Sequence, residues 1–192
     1  MKICFATNNQ HKIEEISRLL AHSTQILSLK DIGCIEELPE TGDTIQANSL
    51  QKAHYVFEKY NVSCFADDSG LEIDALDGKP GVDSAHYGGT RDAKANIDLV
   101  IRQLSNKTNR SANFKTVITL AHEGKFTQFE GIIKGAITLE MKGNSGFGYD
   151  PIFIPEGYNQ TFAEMPLELK NSISHRALAT KKLINFLEDF FS

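Results

Sequence analysis

Two short apolar runs set the terms for this chain: KICFA at Lys2–Ala6 and VSCFA at Val62–Ala66. Both are β-type runs of buried character, and each breaks directly into a polar cluster. After the first comes Thr7-Asn8-Asn9, which offers N-cap chemistry, followed by Ile13, Ile16, Leu19 and Leu20 at helical spacing. After the second comes Asp67-Asp68-Ser69-Gly70, read as a turn, with Leu71–Ile73 resuming a strand.

The rest of the chain continues the alternation. Thr24–Leu29 reads as a second strand. Ile45–Tyr60 reads as an amphipathic helix with Ile45, Leu50, Ala53, Val56 and Phe57 on its apolar face. Asp77–Asp83 is turn material and Asp92–Leu104 a helix. Asn113–Ala121 and Phe126–Ile133 flank Glu123-Gly124 as a β-hairpin, and Gly135–Glu140 reads as a further strand. Ser174 or His175 opens a C-terminal helix. There is no internal repeat or linker. The 192 residues make one domain, with room for two lobes, at about 150 residues per domain. The fold class is α/β with a mixed sheet.

Charge narrows the partners. With 20 Lys and Arg against 25 Asp and Glu, the formal net charge is −5, which excludes a broad basic face for nucleic acid. A small anionic ligand needs only a few placed cations and stays open. The acidity is uneven: residues 31–48 and 67–83 each carry a net −5. Such blocks are solvated loops or, where rich in Gly and Ser, metal sites. Cys4, Cys34 and Cys64 form no CxxC pair and read as small buried hydrophobes of a reducing compartment. The N-terminal apolar run is too short for a signal peptide or membrane span, so a cytoplasmic protein with no membrane partner is expected.

Four segments can carry chemistry. Thr7-Asn8-Asn9-Gln10-His11-Lys12, between strand and helix, suits phosphate through free N–H groups and the mobile Lys12 ammonium; an ordinary N-cap with a surface lysine fits equally. Asp67 and Asp68 can divide duties, one holding Mg²⁺ and one accepting a proton from water, against the alternative of an Asx-type turn. Glu40, in Pro39-Glu40-Thr41-Gly42, is a further possible metal ligand. Gly143–Asp150 is either a flexible hairpin loop, the better reading on pattern alone, or a ligand-approaching loop with Phe147 and Asp150 facing a base. Lys170 to Arg176 joins cations to a helix start, with surface charges on a capped helix as the alternative. No histidine spacing matches a zinc site.

Together these segments resemble the inosine triphosphate pyrophosphatase family. The residues that carry the resemblance are Thr7-x-Asn9-x-x-Lys12, Glu40-Thr41-Gly42, Asn48 to Lys52, Ala66 to Leu71, Pro80-Gly81-Val82-x-Ser84-Ala85, Gly146 to Pro151, and Ser174-His175-Arg176. They occur in the family's order and span nearly the whole chain. One departure is His86, where the family usually has Arg.

The resemblance implies one domain over residues 1–192: an elongated, two-lobed α/β fold around a long mixed sheet with flanking helices, the active-site cleft between the lobes, usually as a homodimer. The implied reaction converts a purine nucleoside triphosphate such as dITP, ITP or XTP, with water and Mg²⁺, to the monophosphate and pyrophosphate. Asp68 is then proton acceptor and metal ligand, Glu40 a second ligand, and Asp67 a support. Thr7, Asn8, Asn9, Gln10, His11, Lys12, Lys52, Ser69 and Lys170 fall to substrate binding, mostly of phosphate or sugar. Phe147, Gly148, Tyr149 and Asp150, with His175 and Arg176, fall to the purine. A non-catalytic nucleotide-binding or sensor protein is the alternative.

Overall fold

The first strand shows how the sheet is covered. Its residues, with Ala6 just after it, alternate between two separate apolar clusters: Ile3 and Phe5 join one, Cys4 and Ala6 the other. Successive strand side chains point to opposite faces, so a run buried at every position needs helices on both sides.

The computed structural model describes residues 2–20 and 25–191. In chain order the elements are β1 (Lys2–Phe5), α1 (Gln10–Leu20), β2 (Gln25–Leu27), α2 (Ile45–Tyr60), β3 (Cys64–Ile73), α3 (Ala93–Gln103), β4 (Ser111–His122), β5 (Lys125–Ile137), β6 (Phe153–Pro155), α4 (Leu167–Ile173) and α5 (His175–Phe191). Six strands form one sheet in the order β2-β1-β3-β4-β5-β6. β1 pairs parallel with β2 and β3, whereas β5 and β6 are antiparallel, so the sheet is mixed as expected. No helix among the described residues is long and apolar enough to cross a membrane.

The chain divides into two compact units. One comprises Met1–Asp68, Thr116–Gly131 and Arg176–Ser192; the other comprises Ser69–Lys115 and Ile132–His175.

In the first unit, Ile16 of α1 and Ala179, Leu183 and Leu187 of α5 pack with Ile3, Phe5 and Phe65. On the other face, Ala53 and Val56 of α2 pack with Cys4, Ala6, Cys64 and Ala66. The three thiols are free and buried, and burial pushes those of Cys4 and Cys64 up to about 12, as inert core residues require. The buried stripe of α2 is Ile45, Asn48, Ser49, Lys52, Ala53 and Val56. Leu50, expected on the apolar face, is instead exposed because it falls off this i, i+3/i+4 phase.

In the second unit, Ile97 and Val100 of α3 and its C-cap residue Leu104 pack with Leu71, Ile73, Phe114, Ile137, Tyr149 and Phe153. In the first unit, the turn between β4 and β5, Glu123-Gly124, has positive φ at both residues, as a two-residue hairpin connection demands.

Three sequence expectations are corrected, and one falls where nothing tests it. Asp67–Gly70 is not a turn but the middle of β3, whose ladder continues through the polar residues. The strand expected at Gly135–Glu140 is the end of β5, and the Pro151–Pro155 piece supplies its partner β6. Lys170 does not lie at the start of the last helix: Ser174 is extended, with φ −64° and ψ 155°, and separates α4 from α5. Thr24, the expected start of the second strand, lies outside the described residues.

Candidate active site

In the first unit, β1 and β3 run parallel with Cys4 opposite Cys64 and Phe5 opposite Phe65. Where β1 ends, the chain turns into α1, and this brings the first turn of α1 beside Asp67. Thr7 Oγ1 accepts from Asn9 N–H at 3.2 Å, and Asn9 Oδ1 accepts from Lys12 N–H at 3.3 Å, so both polar side chains shape the turn. Lys12 is not a mobile surface group. Its ammonium lies 2.9 Å from Asp67 Oδ2, with only 13% of the side chain exposed.

Consecutive positions on β3 send the two carboxylates to opposite faces. Asp67 continues the face of Phe65, covered by α1 and α5, and meets Lys12 and Arg176, the latter 3.5 Å away. Asp68 continues the face of Ala66, covered by α2, and meets Lys52 at 3.8 Å. Lys52 also donates to Glu40, and Arg176 to Glu15.

These neighbours push the two acids apart. Burial opposes ionisation of Asp67, but Lys12, then Arg176 and Lys52, hold its carboxyl well below the usual range. Burial raises Asp68, and Lys52 and Lys12 do not fully offset it. Burial lowers Lys12 despite the Asp67 carboxylate. Asp67 is therefore a fixed counter-charge, while Asp68 is the more basic carboxylate, suited to taking up a proton.

Among the described residues, no group of three His, Cys, Asp or Glu side chains forms a metal cage. The donors present do fit a metal shared with a polyphosphate. Glu40 and Asp68 both face the Lys52 ammonium, and Asp68 Oδ2 is buried without a hydrogen-bond partner among the described residues. Mg²⁺ takes hard oxygen donors, commonly one or two carboxylates completed by phosphate and water.

A second polar cluster lies in the other unit. Asp150 Oδ2 accepts from Phe147 N–H at 2.8 Å and from Lys170 Nζ at 2.7 Å, with both ion-pair side chains buried. The Lys170 ammonium stands 4.9 Å from the Phe147 ring centroid. Gly146 has φ +77°, and a Cβ there would run into the Asp150 carboxylate. Tyr149 donates to the Ser84 carbonyl at 3.0 Å. His175 stacks on Phe114 with ring centroids 4.7 Å apart. The segment 143–150 is thus tied down by its own side chains.

The remaining expected residues differ in exposure. Asn8, Gln10 and His11 are exposed, Ser69 is half-buried, and His86 is exposed 3.6 Å from Asp83. Glu15 is the residue the sequence reading misses. Its signal is its position one turn after Lys12 on α1, where a carboxylate can share the buried face.

Fold and site together define an α/β protein with a buried, charge-rich site around a carboxylate pair. Residues 3–186 match the Ham1 family, and the chain belongs to that family. It is 55% identical over 188 residues to a Flavobacterium johnsoniae protein named dITP/XTP pyrophosphatase, covering 97% of this chain and 98% of that one. A Flavobacterium psychrophilum protein of the same name is 53% identical over 190 residues, covering 98% and 100%. The solved structure of the Staphylococcus aureus Ham1 protein superposes with a TM-score of 0.91 at 35% identity, covering 98% of this chain and 99% of that one. The relatives' name agrees with the family resemblance carried by the motifs.

Proposed function

We propose that this chain hydrolyses nonstandard purine nucleoside triphosphates, namely dITP, ITP and XTP, to the monophosphate and pyrophosphate, clearing them from the nucleotide pool. The observation that carries this reading is the divided carboxylate pair: Asp67 locked among cations, Asp68 raised by burial with one oxygen unengaged.

In this reading Asp68 accepts the proton of the attacking water as its oxygen bonds to the α-phosphorus. The bond to the bridging oxygen breaks and pyrophosphate leaves. Lys12 and Lys52 stabilise charge on the phosphates, and the α1 N-terminus from Thr7 to His11 supplies N–H and side-chain donors. Asp67 holds Lys12 and Arg176 in place. Mg²⁺, held by Glu40 and Asp68, would supply charge neutralisation on the phosphates.

Purine recognition falls to Phe147, Gly148, Tyr149 and Asp150 with His175 and Arg176. Ser69 and Lys170 take sugar or phosphate. A donor at the base favours a 6-oxo purine over adenine, whose 6-amino group would leave that donor unpaired. His175 and Arg176 both carry N–H donors for this role. Family membership over residues 3–186 supports treating 1–192 as one pyrophosphatase domain. In this reading it acts on small nucleotides as a cytoplasmic homodimer.

The test is incubation with ITP, XTP, dITP, ATP and GTP, with and without Mg²⁺, with products identified. Monophosphate plus pyrophosphate from the 6-oxo nucleotides, dependent on Mg²⁺, is expected. Orthophosphate as the primary product would refute the reaction, and tight ITP binding without turnover would make the chain a nucleotide sensor.

A further inference from the structure

Glu36 stands outside the charge cluster just described, yet its carboxylate is heavily engaged. Oε1 accepts from Lys59 Nζ at 2.6 Å, Tyr60 Oη at 2.5 Å and Tyr55 Oη at 2.9 Å. The Lys59 ammonium also lies 5.3 Å and 5.7 Å from the two tyrosine ring centroids. All three donors sit in the last part of α2, the helix that also presents Lys52 to Glu40 and Asp68.

The segment leading from Glu36 into α2 is fastened along that helix. Thr41 N–H donates to Gln51 Oε1 and Gln51 Nε2 donates to Thr41 Oγ1, both at 2.9 Å. Gly42 N–H donates to Asn48 Oδ1 at 2.7 Å. A Cβ on Gly42 would lie 2.7 Å from Ala47 Cβ, so only glycine allows this approach. Thr44 caps the helix, accepting from Ala47 N–H at 3.1 Å. Glu40 therefore belongs to a strap anchored at one end by Glu36 and at the other by the helix cap. Its own side chain is 46% exposed, with Lys52 its recorded ion-pair partner. A carboxylate on such a strap binds weakly unless the strap is ordered beforehand, because ordering costs conformational entropy.

We propose that Glu36 is a positioning residue: its grip on Tyr55, Lys59 and Tyr60 holds the Glu40 strap against α2 in register for the metal ion. The inference rests on the reading of Glu40 as a metal ligand.

The test measures Mn²⁺ binding to the full chain by the electron paramagnetic resonance signal of free Mn²⁺, with thermal melting in chelator alongside. Glu36→Ala weakens Mn²⁺ binding by about tenfold, at the low end for loss of a ligand-orienting partner. Glu36→Gln, whose amide oxygen still accepts from the tyrosines, recovers part of that loss. In turnover, the defect lies in the Mg²⁺ concentration giving half-maximal rate rather than in kcat at saturating Mg²⁺. A lowered melting temperature with Mn²⁺ binding unchanged would make Glu36 merely structural and overturn the proposal. Glu40→Gln separates the two readings. If it leaves Mn²⁺ binding intact, the ligand assignment fails and this proposal with it. If it weakens binding while Glu36→Ala does not, the positioning role alone fails. Should Glu36→Ala not fold, Tyr55→Phe and Glu36→Gln carry the test, and wild-type Mn²⁺ binding in both overturns it.

Discussion

Asp67 and Asp68 are adjacent on β3, yet their carboxylates serve different faces of the sheet: one is held by Lys12 of α1 and Arg176 of α5, the other faces Lys52 of α2. The pleat alone produces this division. It separates a locked counter-charge from a carboxylate that burial makes more basic.

Asp68→Asn is the sharpest test of that division. The amide keeps the shape but cannot accept the proton. Turnover is expected to fall by about 10²–10⁴-fold, the usual span for a lost general base, with nucleotide affinity retained. Single-turnover kinetics and calorimetric nucleotide titration measure the two separately, and retained turnover would refute the role of Asp68.

Asp67 has the opposite signature. Asp67→Ala leaves the buried Lys12 and Arg176 charges without their shared partner. The expected loss is about 3–5 kcal/mol in folding stability, typical of breaking a buried ion pair from one side. Urea denaturation of the purified variant reads it directly. A loss below 1 kcal/mol, taking about that as the range of exposed pairs, would show that the ring of charges contributes little.

Gly146 guards the second cluster. With φ +77° and no room for a Cβ beside the Asp150 carboxylate, Gly146→Ala forces the loop to move. A cost of about 1–3 kcal/mol is expected, the range for a strained backbone position. ITP affinity is expected to fall with it, while metal binding in the other unit is unchanged. Calorimetric titrations with ITP and with Mn²⁺ distinguish these effects.

The Glu36 clamp has a pH signature. Lys59 first, then Tyr60 and Tyr55, hold its carboxyl well below the ordinary 4.5. A depressed value in the folded state gives stability that is fully present above the unfolded value and is lost as pH falls below it. Wild type is therefore expected to exceed Glu36→Gln in stability near neutral pH. That gap closes as the pH drops from about 5 toward the folded value. Denaturant midpoints of both proteins across a pH series measure it, and a constant gap would contradict the assignment.

Much of this molecule was legible in its sequence because local rules decide it. Ile45–Tyr60 is a helix over the expected residues, since its cap, its periodicity and its end at Asn61 are all written locally. The buried β1 and β3 runs, the Glu123-Gly124 turn and the helix opening at His175 belong to the same class. The Asp67-Asp68-Ser69-Gly70 segment misled for a physical reason. Its composition favours a turn, but pairing in the sheet supplies the ladder bonds that override that preference.

The sequence by itself determined that a buried β run meets two adjacent carboxylates; that the strand continues through them, so that the pleat sends them to opposite faces, came only with the sheet. Nor could the sequence say which cations each would meet. Lys12 and Arg176 on Asp67, Lys52 between Glu40 and Asp68, Lys170 on Asp150 and Glu36 on the end of α2 are pairings across 12 to 109 positions of chain. Only the tertiary structure decided them, because they depend on which helix covers which face of the sheet. The same burial that fixes the pairs also sets their charges: it raises Asp68 and lowers Lys12 against the pull of their neighbours.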